Sequence, residues 1–116
     1  MRDQILHNPR CAKSRETLKL LQDRGVALPV VEYLQQPLNK AQLREVCKLL
    51  GKKPLEIVRT KEALFAELGL SKDIGYSDEQ WLEVLAQHPK LMERPIVVYR
   101  GKAALGRPPE NVLALL

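Results

Sequence analysis

The order of elements in the first third of the chain limits the possible folds more tightly than any other feature. Gln4-Ile5-Leu6-His7 reads as a short strand, and Pro9 stops a helix from reaching back into it. Leu18, Leu20 and Leu21 then show helical spacing over about residues 12–24, with Gly25 as a stop. Val30-Val31-Glu32-Tyr33-Leu34 is rich in β-branched residues and reads as a second strand. A strand, a helix and a strand in so short a span predict a right-handed parallel βαβ unit, because the helix must cross back over the sheet.

The stretch from about 37 to 92 is mostly helical by pattern. Leu43, Val46, Cys47 and Leu50 make one apolar stripe, closed by Gly51. Shorter helical patches cover 55–58 and 62–68, the latter stopped by Gly69. Ser77-Asp78-Glu79-Gln80 has the capping-box pattern ahead of Trp81, Leu82, Val84 and Leu85, and His88-Pro89 ends that helix. Ile96-Val97-Val98-Tyr99 is the clearest strand, turned by Arg100-Gly101 into a partner over 102–105. Pro109 can open a last helix running to Leu116. The predicted architecture is therefore α/β: a thioredoxin-like βαβ–ββα sheet with a large helical insertion at about 37–92, all in one domain over 1–116.

The 116 residues, 45% of them hydrophobic, suit one soluble domain, and no apolar run approaches the roughly 18 residues of a membrane span. Met1-Arg2-Asp3-Gln4 turns polar too soon for a signal peptide, so a cytoplasmic protein, acting as a monomer, is expected. Two distant cysteines and two histidines give neither a disulfide framework nor metal-ligand spacing. The net charge of +5 favours an anionic partner, and with so few aromatic rings a small anion is expected before nucleic acid.

Cys11 is the residue most suited to chemistry. It lies among Arg10, Lys13 and Arg15 at a strand-to-helix turn. Cations and the N–H groups of a helix start both favour the thiolate. Ser14 occupies the second place of a would-be C-x-x-C pair, so an oxidised or adducted Cys11 needs a thiol from outside to resolve it. The Ser14 hydroxyl could donate to that thiolate, and His7 could hold its pKa down or bind the turn. Cys47, on an apolar stripe, reads as core. Arg94, before Pro95 and the clearest strand, and Arg107, between Gly106 and Pro108-Pro109, could present guanidinium groups to an oxyanion. Arg59 ends a short helical patch and reads locally as a surface charge.

His7-Asn8-Pro9-Arg10-Cys11-Ala12-Lys13-Ser14-Arg15, together with Arg59, Arg94-Pro95-Ile96-Val97-Val98 and Gly106-Arg107-Pro108, resembles the glutaredoxin-linked arsenate reductase (ArsC) family over essentially the whole chain. The resemblance implies a thioredoxin-like fold with a helical insertion. It implies that Cys11 attacks arsenate to form a thiol–arsenate adduct, that glutathione acts as co-substrate and glutaredoxin as partner, and that no cofactor is held. By the same resemblance Arg59, Arg94 and Arg107 bind the oxyanion, joined by N–H groups near Ala12, Lys13 and Ser14, while His7 and Ser14 keep Cys11 ionised. The chain stops at Leu116, short of the C-terminal extension of longer arsenate reductases, and has Gly106 where the best-known members carry a cysteine; the two departures together suggest a shorter sub-branch.

Two other functions suit the same fold. Stress regulators that bind RNA polymerase usually carry a C-x-x-C switch, which Cys11-Ala12-Lys13-Ser14 lacks. A general thiol oxidoreductase fits C-x-x-S but leaves the three arginines without a role.

Overall fold

A computed structural model describes all 116 residues. They divide into two compact units: Met1–Pro37 with Arg94–Leu116, and Leu38–Glu93. The first carries a four-stranded sheet and the second carries helices.

In the sheet unit, strand β1 (Gln4–His7) leads into helix α1 (Ala12–Asp23), and strand β2 (Val30–Glu32) returns beside β1. The pairing is parallel, with His7 opposite Glu32, as a βαβ crossover requires. Strands β3 (Ile96–Tyr99) and β4 (Lys102–Leu105) form the antiparallel hairpin, and β3 also runs antiparallel to β1. The resulting order is β2-β1-β3-β4, a mixed sheet of the thioredoxin-like type. The two central strands are the most apolar, and Ile5, Leu6, Ile96, Val97 and Val98 are all fully buried. On one face Ile5 and Val97 pack with Leu21 of α1 and Val112 near the C-terminus, bordered by Leu18, Leu20 and Leu115.

Strand β2 ends at Glu32, two residues earlier than its β-branched run predicts. The Glu32 carbonyl accepts hydrogen bonds from the N–H groups of both Gln35 and Gln36, which turns Tyr33 and Leu34 out of the ladder. The last segment, Pro109–Leu115, is helical but wound as a 3-10 helix. Arg100 takes φ 51° in the hairpin turn; its N–H is held by the Asp3 carboxylate at 2.9 Å.

The helical unit opens with α2 (Lys40–Leu50), whose start the apolar stripe alone does not reveal. Asn39 and Gln42 form a reciprocal capping box there, and Gly51 ends the helix in the left-handed conformation. A 3-10 turn (Pro54–Ile57) and the short helix α3 (Ala63–Glu67) follow. Helix α4 (Asp78–Gln87) starts at the predicted capping box, with Ser77 Oγ accepting from the Gln80 N–H at 3.2 Å. Helices α2 and α4 pack together, burying Leu43, Val46 and Cys47 from one and Trp81, Leu82 and Leu85 from the other. Phe65 stacks on Trp81 at 6.1 Å between ring centres. At the surface, Lys40 and Arg44 of α2 both pair with Glu79 of α4. No helix is long and apolar enough to cross a membrane.

Candidate active site

Helix α1 begins at the cysteine. Cys11 is the N-cap residue with extended backbone (φ −95°, ψ 122°), and its carbonyl accepts the first helical bond, from the Arg15 N–H at 3.0 Å. Helix starts leave N–H groups without intrahelical partners, and here no side chain caps them. The N–H groups of Ser14 and Lys13 at this helix start favour the Cys11 thiolate. No acidic residue occupies the first turn to cancel this positive end. The preceding turn is fixed from both sides. The Cys11 N–H donates to the Asn8 carbonyl at 3.0 Å, the Arg10 N–H to Asn8 Oδ1 at 3.0 Å, and the Arg15 guanidinium to the Pro9 carbonyl at 2.9 Å.

Arg107 closes over the sulfur from the other end of the unit, its guanidinium donating to Cys11 Sγ at 3.9 Å and to the Arg94 carbonyl at 3.4 Å. Arg94 and Arg107 each directly precede a cis-proline, Pro95 and Pro108. Partial burial alone would raise the Cys11 pKa. The Ser14 N–H, the Arg94 charge, the Lys13 N–H and the Arg107 charge together outweigh it, so the thiol lies below the usual cysteine value. Arg94 also keeps its Nε–H buried with no acceptor from the protein. Buried donors are costly to leave unmatched.

Ser14 and His7 are both present beneath the loop, in a different arrangement from the expected one. The Ser14 hydroxyl is fully buried, shares a 2.6 Å hydrogen bond with His7 Nδ1, and accepts from the Asn8 N–H at 3.0 Å. Ser14 therefore favours the thiolate through its backbone N–H, while its side chain ties β1 to the turn. Burial pushes the His7 pKa down; Glu32 works against that shift and Arg15 adds to it. His7 thus favours the neutral ring, and acts on the loop by hydrogen bonding more than by charge. Ala12 is the first helical residue and is exposed.

The sequence gives less notice of Thr17. Its side chain is fully buried on the inner face of α1, donating to the Lys13 carbonyl at 2.8 Å, with the Gly106 carbonyl also at 3.4 Å. The signal was available: Ser14, Thr17, Leu18 and Leu21 follow the spacing of an inward-facing helical stripe. Gly106 is needed for space, since a Cβ there would lie 2.6 Å from Thr17 Oγ1 and 2.8 Å from Pro95 Cγ. The helix bearing Cys11 and the loop bearing Arg107 therefore meet through the Thr17 side chain, with none from position 106.

Arg59 belongs to the helical unit. There its guanidinium pairs with Glu62 at 3.0 Å and donates to the Lys90 carbonyl at 3.4 Å, with Lys90 itself 3.3 Å from Glu62. The structure gathers His7, Cys11, Ser14, Arg94 and Arg107 in the sheet unit, and Arg59 keeps its own ionic partners. No group of three or more His, Cys, Asp or Glu side chains is placed to hold a metal ion.

Cys11 at its helix start, with Arg94 and Arg107, falls within the stretch that a known family covers. The ArsC family model matches residues 6–115. The chain belongs to the ArsC family. Among curated ArsC relatives, "Uncharacterized protein YfgD" of Escherichia coli K12 is 51% identical over 97% of this chain and 94% of its own length. "Arsenate reductase" of Neisseria meningitidis serogroup A is 45% identical over 97% of this chain and 96% of its own. Among solved structures, "Arsenate reductase from Vibrio cholerae" superposes with a TM-score of 0.91 at 43% identity, over 100% of both chains.

Proposed function

We propose that this ArsC-family protein is an arsenate reductase that uses glutathione and glutaredoxin as its source of electrons. The reading is supported most by one contact: the Arg107 guanidinium donating to a Cys11 sulfur whose pKa is already lowered by the start of α1. Relatives named arsenate reductase at 41–45% identity give the substrate class.

In this reading the Cys11 thiolate attacks the arsenic of arsenate. A sulfur–arsenic bond forms and one oxygen leaves as water. Bringing two anions together is the main obstacle, and Arg94 and Arg107 lower it by neutralising the oxyanion where charge builds up. The N–H groups of Lys13 and Ser14 act in the same place, and Ala12 starts the turn of helix that presents them. Glutathione thiolate then joins its sulfur to that of Cys11. The new disulfide provides two electrons, taking arsenic from As(V) to As(III), and arsenite is released. Glutaredoxin next takes the glutathionyl group, which returns Cys11 as a thiolate. Ser14, tied to His7, keeps the loop in shape throughout.

The test is arsenate-dependent NADPH oxidation with glutathione, glutathione reductase and glutaredoxin, run beside Cys11→Ser. Turnover that vanishes in the variant supports the reading. Turnover that persists in Cys11→Ser, or folded wild-type protein that reduces no arsenate, overturns it.

A further inference from the structure

Beside the Cys11 loop, at the ends of the parallel strands β1 and β2, lies a cavity of about 350 Å³ whose walls include His7, Asn8, Arg10, Glu32, Leu34 and Gln35. Its size falls in the usual range for small-molecule sites, roughly 300–1,000 Å³. His7 and Glu32 are direct partners across the parallel ladder, so the cavity opens where the strands stop. Crevices past the C-terminal ends of parallel strands are a recurrent place for ligands.

Two features give this cavity a chemical preference. First, it carries opposite charges that the protein leaves without ion pairs: the Arg10 guanidinium and the Glu32 carboxylate. Elsewhere in the same unit Lys13 pairs with Glu16, and Lys19 with Asp23. Second, the wall bearing Arg10 is held in place, because the Arg10 N–H is fixed to Asn8 Oδ1 at 3.0 Å. His7 at the cavity wall is 6% exposed, and the side chain of Gln35 adds a neutral donor and acceptor.

We infer that this cavity binds the zwitterionic amino-acid head of the thiol co-substrate: its carboxylate on Arg10, its ammonium on Glu32. An arginine fork suits a carboxylate, and a carboxylate suits an ammonium. In glutathione the γ-glutamyl residue carries both groups on one carbon. The cavity is also next to the nucleophile, since the Cys11 N–H is bonded to the carbonyl of Asn8 in its wall. A head group held there leaves the cysteinyl thiol of the same molecule free to approach Cys11. This inference rests on the thiol-dependent reaction proposed above.

Two measurements separate the inference from that reaction. S-methylglutathione keeps the head group but has no free thiol, so its binding can be titrated by NMR without turnover. The amides of Asn8, Arg10, Glu32 and Gln35 are expected to shift, and Arg10→Ala and Glu32→Gln are each expected to weaken binding about tenfold. In steady state the same variants are expected to raise KM for glutathione about tenfold and to leave KM for cysteinylglycine, which lacks the γ-glutamyl group, where it is in wild type. Equal S-methylglutathione affinity in wild type and both variants overturns the site. So does an equal loss with cysteinylglycine. A wild-type protein that reduces no arsenate overturns the proposed reaction instead, and the titration still decides the cavity.

Discussion

Cys11 and Cys47 are the same side chain in two surroundings, and the protein moves them in opposite directions. Cys47 lies on the inner face of α2, 5% exposed. Burial, with Asp78 and Glu56 adding negative charge nearby, pushes its pKa up to about 11. Cys11 is partly buried too, which by itself would have the same effect. At Cys11 the helix start and two arginines overcome that penalty; at Cys47 the available charges are carboxylates. The difference shows that burial alone does not set the direction of a thiol's pKa shift. What decides it is the sign of the groups that replace water around the sulfur.

The largest expected effect sharpens this contrast directly. Cys11→Ser should abolish arsenate turnover, and Cys47→Ala should leave it unchanged, both read in the coupled assay. Arg107→Ala should lower kcat/KM for arsenate about 100-fold, as loss of one preorganised donor typically does. It should also move the Cys11 alkylation midpoint to higher pH, measured with iodoacetamide and mass spectrometry. If that midpoint does not move, the 3.9 Å contact contributes nothing to the thiolate.

The pH dependence of stability should split the two cysteines by sign. An ionised Cys11 stabilises the native state above the ordinary thiol pKa near ~8.5, and that contribution fades as pH falls through its lowered native value. A neutral Cys47 stabilises the fold below the ordinary thiol pKa, and that contribution is lost as pH rises toward about 11. Urea melts should therefore show Cys47→Ala losing less stability than wild type as pH rises from the ordinary thiol range toward about 11, and Cys11→Ser losing less than wild type as pH falls from ~8.5 through the lowered native value of Cys11. The smallest effect is a control. Ser77→Ala removes the α4 cap, should cost about 1 kcal/mol, and should leave the Cys11 alkylation profile where it was.

Much of this site was legible because its chemistry lies in one short run of sequence. Pro9, the cysteine and its cations mark a strand-to-helix turn, and the structure puts Cys11 at the N-cap. The antiparallel hairpin and the Ser77 capping box were legible for the same reason, since their signals are local. The Ser14 hydroxyl was not, because its partner was decided by packing: β1 brings His7 Nδ1 within 2.6 Å of it. Strand β2 also misleads the eye, as Tyr33 and Leu34 have strand propensity but follow a carbonyl that closes a turn. Thr17 and Gly106 meet across most of the chain's length, and no window along the sequence shows that they touch.

That contact at Gly106 has a consequence for the circuit of electrons. The two places where a resident second thiol would be most at home are both taken. At position 14 the side chain is committed to His7, and at position 106 any side chain collides with Thr17 and Pro95. The sheet unit is thus wired with a single terminal: Cys11 is its one thiol, and the other free cysteine, Cys47, belongs to the helical unit.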